Sequence, residues 1–387
     1  MKVVKIIVLF ILCVFWSCSN DSKMNYINNH EPEVIEIDPD NCSKQIDLSS
    51  FLKDSIEMIR LETTDDCLIG EVSRLKFYQD KIFISDRLSQ TIFVFNSSGK
   101  YISKINKKGK GLGEYIFLGD FVFRDDSIFV QDVYGRKYIV YDFYGNYRKE
   151  INYKTHHHDA ILFDNVFYFV SNHYKSDLGY YNLFRLDMNT NIIDKYIPFE
   201  KEIQQKNKAW GINEQVSMCN NEALIIYPIN DTIYEVKKEN LFPKYIVKFT
   251  KRNIPDNLKD RNGTEICFLS LKNGYIKGIS YLQHNSEFLL ATYTDGNKFR
   301  SIVIDRKTLE YKIGESVSID KFFSTNYPNY YITNDGELVL MQTASEFEFK
   351  SKLLKTTNFL NRKNVEDAIK SITEDDNPIL FKFKFKK

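Results

Sequence analysis

Residues 72–105 read VSRLKFYQDKIFISDRLSQTIFVFNSSGKYISKI, and residues 121–151 read FVFRDDSIFVQDVYGRKYIVYDFYGNYRKEI. The two are one unit written twice. Asp86 answers to Asp132, Phe95 to Tyr141 and Gly99 to Gly145, each pair 46 positions apart. Within the first copy the alternation of apolar residues predicts strands at 72–78, 81–85, 91–95 and 100–105. Turns fall at Gln79-Asp80 and at Asn96-Ser-Ser-Gly99, where Asn and Gly supply the left-handed backbone that hairpins need. A period of this length with four short strands in each copy points to a β-propeller.

Weaker copies follow. The third unit keeps 167–171, 183–187 and 192–199 as its second to fourth strands. The fourth spans about 216–249, and the fifth about 275–313. The sixth opens at Tyr330-Tyr331-Ile332, runs to Gln342 and is then interrupted by residues 343–377, which include an expected helix near 363–372. The last stretch, residues 379–385, alternates Phe381, Phe383 and Phe385 with Lys382 and Lys384, the pattern of a half-buried strand. The sixth unit therefore lacks one strand, and residues 55–63 (SIEMIRLET) are the unused one. The expectation is an all-β, six-bladed propeller of four-stranded antiparallel blades. Its N-terminal strand completes the last blade, closing the ring and covering edges that would otherwise aggregate.

The chain has 387 residues, 43% hydrophobic and 15% aromatic, with 25 Tyr and 30 Phe, which favours strands over helices. Lys2 and Lys5 precede an apolar run, 6–16, too short to cross a bilayer comfortably, and the run ends at Ser17-Cys18-Ser19. This divides the chain into a signal peptide (1–17), a polar tether (18–50) and the propeller (51–387). Removing residues 1–17 takes Lys2 and Lys5 from 53 basic residues and leaves 51 against 52 acidic ones. That balance gives no footprint for nucleic acid. Cys42, Cys67, Cys219 and Cys267 show no zinc spacing. They fit either disulfides or buried thiols.

Several stretches resemble known families. Gly109-Lys-Gly-Leu-Gly-Glu-Tyr115, Asp126-Ser-Ile-Phe-Val-Gln-Asp132, Arg136-Lys-Tyr-Ile-Val-Tyr-Asp142 and Gly145 resemble an NHL-type repeat, with Leu112 where the usual linker has proline. Leu61-Glu-Thr63, Leu68-Ile-Gly70, Asn230-Asp-Thr-Ile-Tyr234 and Asp376-Asn-Pro378 resemble the six-bladed propeller lipoproteins of Gram-negative bacteria. The residues around Cys18 resemble a lipoprotein signal, although Phe15-Trp16 stand where the usual box has Leu and a small residue. The resemblance implies export and lipid anchoring at Cys18 to the outer membrane, facing the periplasm or the cell surface. It implies no settled activity.

The glycine linker is followed by a strand and not by a helix, so it is a hinge between blades and not a phosphate cradle. Tyr115 is expected to pack between blades. Asp86 and Asp132, with Asn172, Tyr227–Pro228, Tyr293 and Gln342 at the equivalent level, are expected at the mouth of the central channel. There, short carboxylates either cap loops or form a polar ring around a ligand. No cofactor is predicted; Ca²⁺ is the cation such oxygens would take. Arg87 and His173 flank this ring. His157, within His156-His157-His158-Asp159, and Trp210 lie on crossings between blades at the same face. The leading expectation is a non-catalytic module. It would bind a carbohydrate, a peptide or an envelope protein and touch membrane only through its anchor. The alternative is an enzyme of the propeller lactonase, lyase or glycosidase kind, with an axial metal and a histidine base.

Overall fold

The chain, in a computed structural model, is described at residues 31–174, 176–199, 214–237, 240–259, 261–319, 323–325, 329–346 and 371–386. Three strands precede the repeats: β1 (Glu33–Ile37), β2 (Ile46–Asp47) and β3 (Leu52–Arg60). Blade 1 is β4 (Val72–Tyr78), β5 (Lys81–Asp86), β6 (Thr91–Asn96) and β7 (Tyr101–Ile105). Blade 2 is β8 (Leu118–Arg124), β9 (Ser127–Asp132), β10 (Lys137–Asp142) and β11 (Tyr147–Asn152). Blade 3 is β12 (Asp159–Phe163), β13 (Val166–Val170), β14 (Tyr181–Leu186) and β15 (Ile192–Pro198). Blade 4 is β16 (Val216–Cys219), β17 (Glu222–Ile225), β18 (Thr232–Lys237) and β19 (Asn240–Phe249). A crossing with two helices, α1 (Asp256–Lys259) and α2 (Gly263–Asn273), leads to blade 5: β20 (Ile279–His284), β21 (Phe288–Asp295), β22 (Lys298–Asp305) and β23 (Tyr311–Gly314). After β24 (Val317–Ile319) and β25 (Phe323–Thr325), blade 6 is β26 (Tyr330–Ile332), β27 (Leu338–Gln342) and β28 (Ile379–Phe385).

The missing strand of blade 6 is β3, which runs antiparallel to β28 with Arg60 opposite Ile379 and Met58 opposite Phe381. The expected closure holds, three residues earlier than the alternation placed it. The repeat persists because its turns reuse one device. A side-chain oxygen of Asn96, Asp142, Asp187 or Asp305 accepts backbone N–H groups two to four residues on. That bond fixes the turn between the third and fourth strands of blades 1, 2, 3 and 5.

The tether is the part that differs. Residues 31–50, expected to trail from an anchor, are built into the ring. β1 adds in parallel to β19, making blade 4 five-stranded, and β2 pairs in parallel with β24. Ile35, Ile37, Ile46 and Leu48 are buried there. The apolar residues alternate with Glu33, Glu36 and Asp47, and that alternation is a strand signal which the polar composition obscured. The four remaining cysteines are free thiols. Among the described residues no helix is long and apolar enough to cross a membrane. The expected helix at 363–372 and most of the interruption lie outside the described residues.

The first strands of the blades, β4, β8, β12, β16, β20 and β26, lie innermost, and successive strands step outward. Each first strand therefore starts on the face that carries the blade-to-blade crossings. Each ends at the opposite face, at the hairpin between first and second strands.

Candidate functional site

The sequence-expected residues cluster on the crossing face, and most are occupied in holding it together. Asp86 is buried at the end of β5. Its Oδ1 accepts the N–H groups of Glu71 (2.7 Å) and Leu88 (3.2 Å), and its Oδ2 accepts from Ser89 N (3.1 Å) and Oγ (2.6 Å). Burial opposes its charge. The Ser89 hydroxyl and the three N–H groups outweigh it and hold the carboxyl below its usual range. Asp132, fully buried at the same position of blade 2, accepts the N–H of Phe117 (3.2 Å) through Oδ1. Arg87 is exposed and forks onto the Glu71 carboxylate.

His157 lies in the core. Its Nε2 meets Tyr138 Oη at 2.7 Å and Gln131 Nε2 at 2.9 Å, and its ring stacks on Phe169 at 3.7 Å. Burial drives its pKa down to about 3, so it is neutral. The alternating exposure of residues 154–158 shows why this triplet was misleading. The segment is extended, so the middle histidine points inward while His156 points to solvent. Asn172 exchanges two amide hydrogen bonds with Gln215 (2.7 and 2.5 Å). The His173 N–H donates to Asn182 Oδ1 (2.7 Å), and its ring meets Phe199 and Tyr227. The Tyr227 hydroxyl accepts from Asn230 (2.7 Å), Tyr293 packs on Phe249, and Gln342 is buried at the end of β27. Trp210 lies outside the described residues. Tyr115 is buried between blades 1 and 2, its hydroxyl donating to Gln90 O (2.6 Å), as the linker reading required.

Among the described residues, an open concavity lies on the other face. A well of about 550 Å³ occupies the channel where the first strands end. Half-buried aromatic rings stand in its wall: Phe77 and Tyr78 from β4, Phe123 from β8, Phe163 from β12 and Tyr331 from β26. Tyr78 and Phe123 stack at 4.7 Å with planes 9° apart. Asp125, Asp164, Asn165, Asn221 and Asn334, on the hairpin turns, rim it. Positive φ at Asp125, Asp164, Asn165 and Asn221 is the reason Asp and Asn occupy these turns. The Ile332 N–H donates to Gln283 Oε1 (2.9 Å), which leaves the Gln283 NH₂ to the well. Ser217, also in the wall, is engaged by His284 through both backbone N (3.0 Å) and Nδ1 (2.7 Å). His284 faces Glu222 across 3.4 Å, and Glu222 is held ionised by Arg306 and Lys244. This row clamps blade 4 to blade 5.

An ionic cluster closes the channel below the well. Lys76 gives all three of its donors: to Asp120 Oδ1 (2.7 Å), Asp120 Oδ2 (2.9 Å) and Phe121 O (2.8 Å). The Arg74 guanidinium Nε lies 3.7 Å from both Asp120 and Glu214. Asp159 accepts the N–H groups of Ala160 and Gln215, each at 2.9 Å, and so ties blade 3 to the start of blade 4. Burial, reinforced by the Asp120 charge, pushes the Asp159 carboxyl up to about 7. Lys76 and Arg74 overcome the same burial at Asp120 and hold it low. Sequence reasoning missed this cluster, yet one signal was present. Arg74 and Asp120 are 46 positions apart, so the repeat itself puts an opposite pair at one level of two adjacent inner strands. Among the described residues no group of three or more His, Cys, Asp or Glu side chains is placed to hold a metal ion.

Comparison with known proteins supports the fold. A putative exported protein from Bacteroides fragilis superposes with a TM-score of 0.74 at 19% identity, covering 92% of this chain and 100% of its own. A DUF4221 family member from Bacteroides vulgatus gives a TM-score of 0.51 at 11% identity, covering 86% of this chain and 97% of its own. No curated protein matches the sequence. A family profile described as a domain of unknown function, DUF4934, matches residues 32–384. That span takes in every blade as well as β1 and β2, so the chain belongs to the DUF4934 family.

Proposed function

We propose that this propeller is an exported, non-catalytic binding module, lipid-anchored through Cys18 to the outer membrane, which holds a carbohydrate or peptide ligand in the channel well. The observation that carries the reading is the well: about 550 Å³, the size of small-ligand sites, with aromatic rings in its wall and a rim of Asp and Asn side chains converging on it. It needs no cofactor. Export rests on the charged start, the short apolar run and Cys18, and it agrees with the likeness to a protein described as exported. Labelling with a lipid precursor, with Cys18→Ala as control, tests the anchor. For binding, purified protein is screened against glycan and peptide arrays, and hits are titrated with Tyr78→Ala and Tyr331→Ala variants. The expected result is a loss of roughly tenfold or more, about 1.4 kcal/mol, in either variant with folding intact. Hits that bind both variants as tightly as the parent would place the ligand elsewhere.

A further inference from the structure

The well does not end at its own walls. Phe163, Asp164 and Asn221 also line a hollow of about 890 Å³ between blades 3 and 4, where Arg185, Glu235 and Phe242 continue the surface. On the opposite side, Phe77, Tyr78 and Asn334 are shared with a hollow of about 280 Å³ between blades 6 and 1, edged by Asp80 and Asp335. The three make one furrow across the hairpin face. One hollow of roughly 300–1,000 Å³ suits one small ligand, and a connected row suits a chain.

We infer that the furrow takes a neutral oligosaccharide lying across the channel mouth, one sugar in the well and its neighbours in the flanking hollows. The inference rests on the well being a binding site. Charge selects the class. The basic groups along the furrow are engaged: Lys76 by Asp120, Arg185 by Asp194, Lys237 by Glu235, Lys382 by Glu57 and Glu337, and Arg124 by Asp125. Of these basic groups only Lys81 has no carboxylate partner among the described residues, and it lies over the Phe143 ring. One such cation beside several unpaired carboxylates disfavours a polyanion. The carboxylates of Asp80, Asp164 and Asp335 have no ion-pair partner among the described residues, and with the amides of Asn165, Asn221 and Asn334 they offer acceptors and donors to hydroxyl groups. The half-buried rings of Tyr78, Phe163 and Tyr331 offer apolar surface to the C–H side of a sugar. A peptide that binds by strand addition pairs with a strand edge. This furrow crosses hairpin tips instead, where the binding groups are side chains.

The test uses the full mature chain and an array of neutral oligosaccharides from disaccharide to octasaccharide, with heparin fragments and a peptide library beside it. Binders are titrated as a length ladder on the parent, Phe242→Ala and Asp335→Ala, whose thermal midpoints are checked. The expected result is affinity rising by about tenfold or more from disaccharide to hexasaccharide. Each variant should lose part of that gain, with hexasaccharide binding weakened more than disaccharide binding. Equal affinity for short and long chains overturns the furrow and leaves the well reading standing. Binding of heparin or peptides in place of neutral sugars, or of nothing on the array, overturns the ligand class. The Tyr78 and Tyr331 variants judge the well separately.

Discussion

Asp159 carries a charge that the fold disfavours. Burial and the neighbouring Asp120 charge push its carboxyl up to about 7 in the folded chain, from about 4 when exposed in the unfolded one. Between those values the folded state holds a proton that the unfolded state has released, so stability is lost as pH rises through 7. Buried His157 and His173 act with the opposite sign. Their pKa values are driven down to about 3 and about 4, so they withhold stability at low pH and restore it by about pH 6.5. The Asp159 contribution is therefore read as a difference. Asp159→Asn keeps an acceptor for one of the two N–H groups and removes the titration. The variant should gain on the parent in thermal midpoint between pH 5 and pH 8, by several degrees, corresponding to on the order of 3 kcal/mol or less. A constant offset across that range, by scanning calorimetry, would refute it. Asp86 acts differently: its four hydrogen bonds cap a loop, so Asp86→Ala should cost about 1–3 kcal/mol in urea titrations and leave ligand binding unchanged. Residue types alone did not separate these aspartates. A carboxylate at a strand end looks the same in sequence whether it caps a turn, as Asp86 does, or lines a channel floor, as Asp120 and Asp159 do.

At the scale of elements, one side chain joins the segment that follows β3 to the segment that precedes β28. Asn377 accepts the Ile69 N–H (2.8 Å) and donates to Glu62 O (2.7 Å) and Cys67 O (2.8 Å), while its own N–H reaches Thr63 Oγ1 (2.9 Å). The motifs at 61–63, 68–70 and 376–378, which stood apart in the sequence, are one buried joint. Asn377→Ala should strand three buried backbone groups and cost about 2–5 kcal/mol, measured by chemical denaturation. Gly99 guards the same seam. Its φ is +84°, and a Cβ there would lie 2.1 Å from Arg60 O. Gly99→Ala should therefore cost more than about 2 kcal/mol, because neither the turn nor β3 can yield. This is why the repeat was legible. Glycine and Asx turns, and two-residue alternation, follow from local backbone geometry that any copy must satisfy. The well was not legible, because its walls come from the ends of strands in different blades, and only ring closure brings Tyr78, Phe163 and Tyr331 to one mouth.

For the whole molecule, residues 31–60 act as a belt. β1 lies along blade 4, β2 along β24 after blade 5, and β3 inside blade 6, so the chain wraps three consecutive stations before the first repeat begins. The stations differ in what they hold. β1 adds to the already four-stranded blade 4 and buries Ile35 and Ile37, while β2 adds to the short β24–β25 pair and buries Ile46 and Leu48. β3 supplies a strand without which β28 presents an open edge carrying buried Phe381 and Phe383. Removing residues 1–50 should therefore leave a closed, monomeric ring of lower stability. Ile37→Ala alone should cost about 2–5 kcal/mol, the usual range for such a buried truncation. Removing residues 1–60 should open the ring and produce aggregation. A peptide of residues 51–63 added during refolding should restore monomer, read by size-exclusion chromatography. A soluble monomer from the longer truncation without the peptide would mean that blades 1 and 6 close the ring by packing, and that the β3–β28 seam is a lock added to an already closed circle.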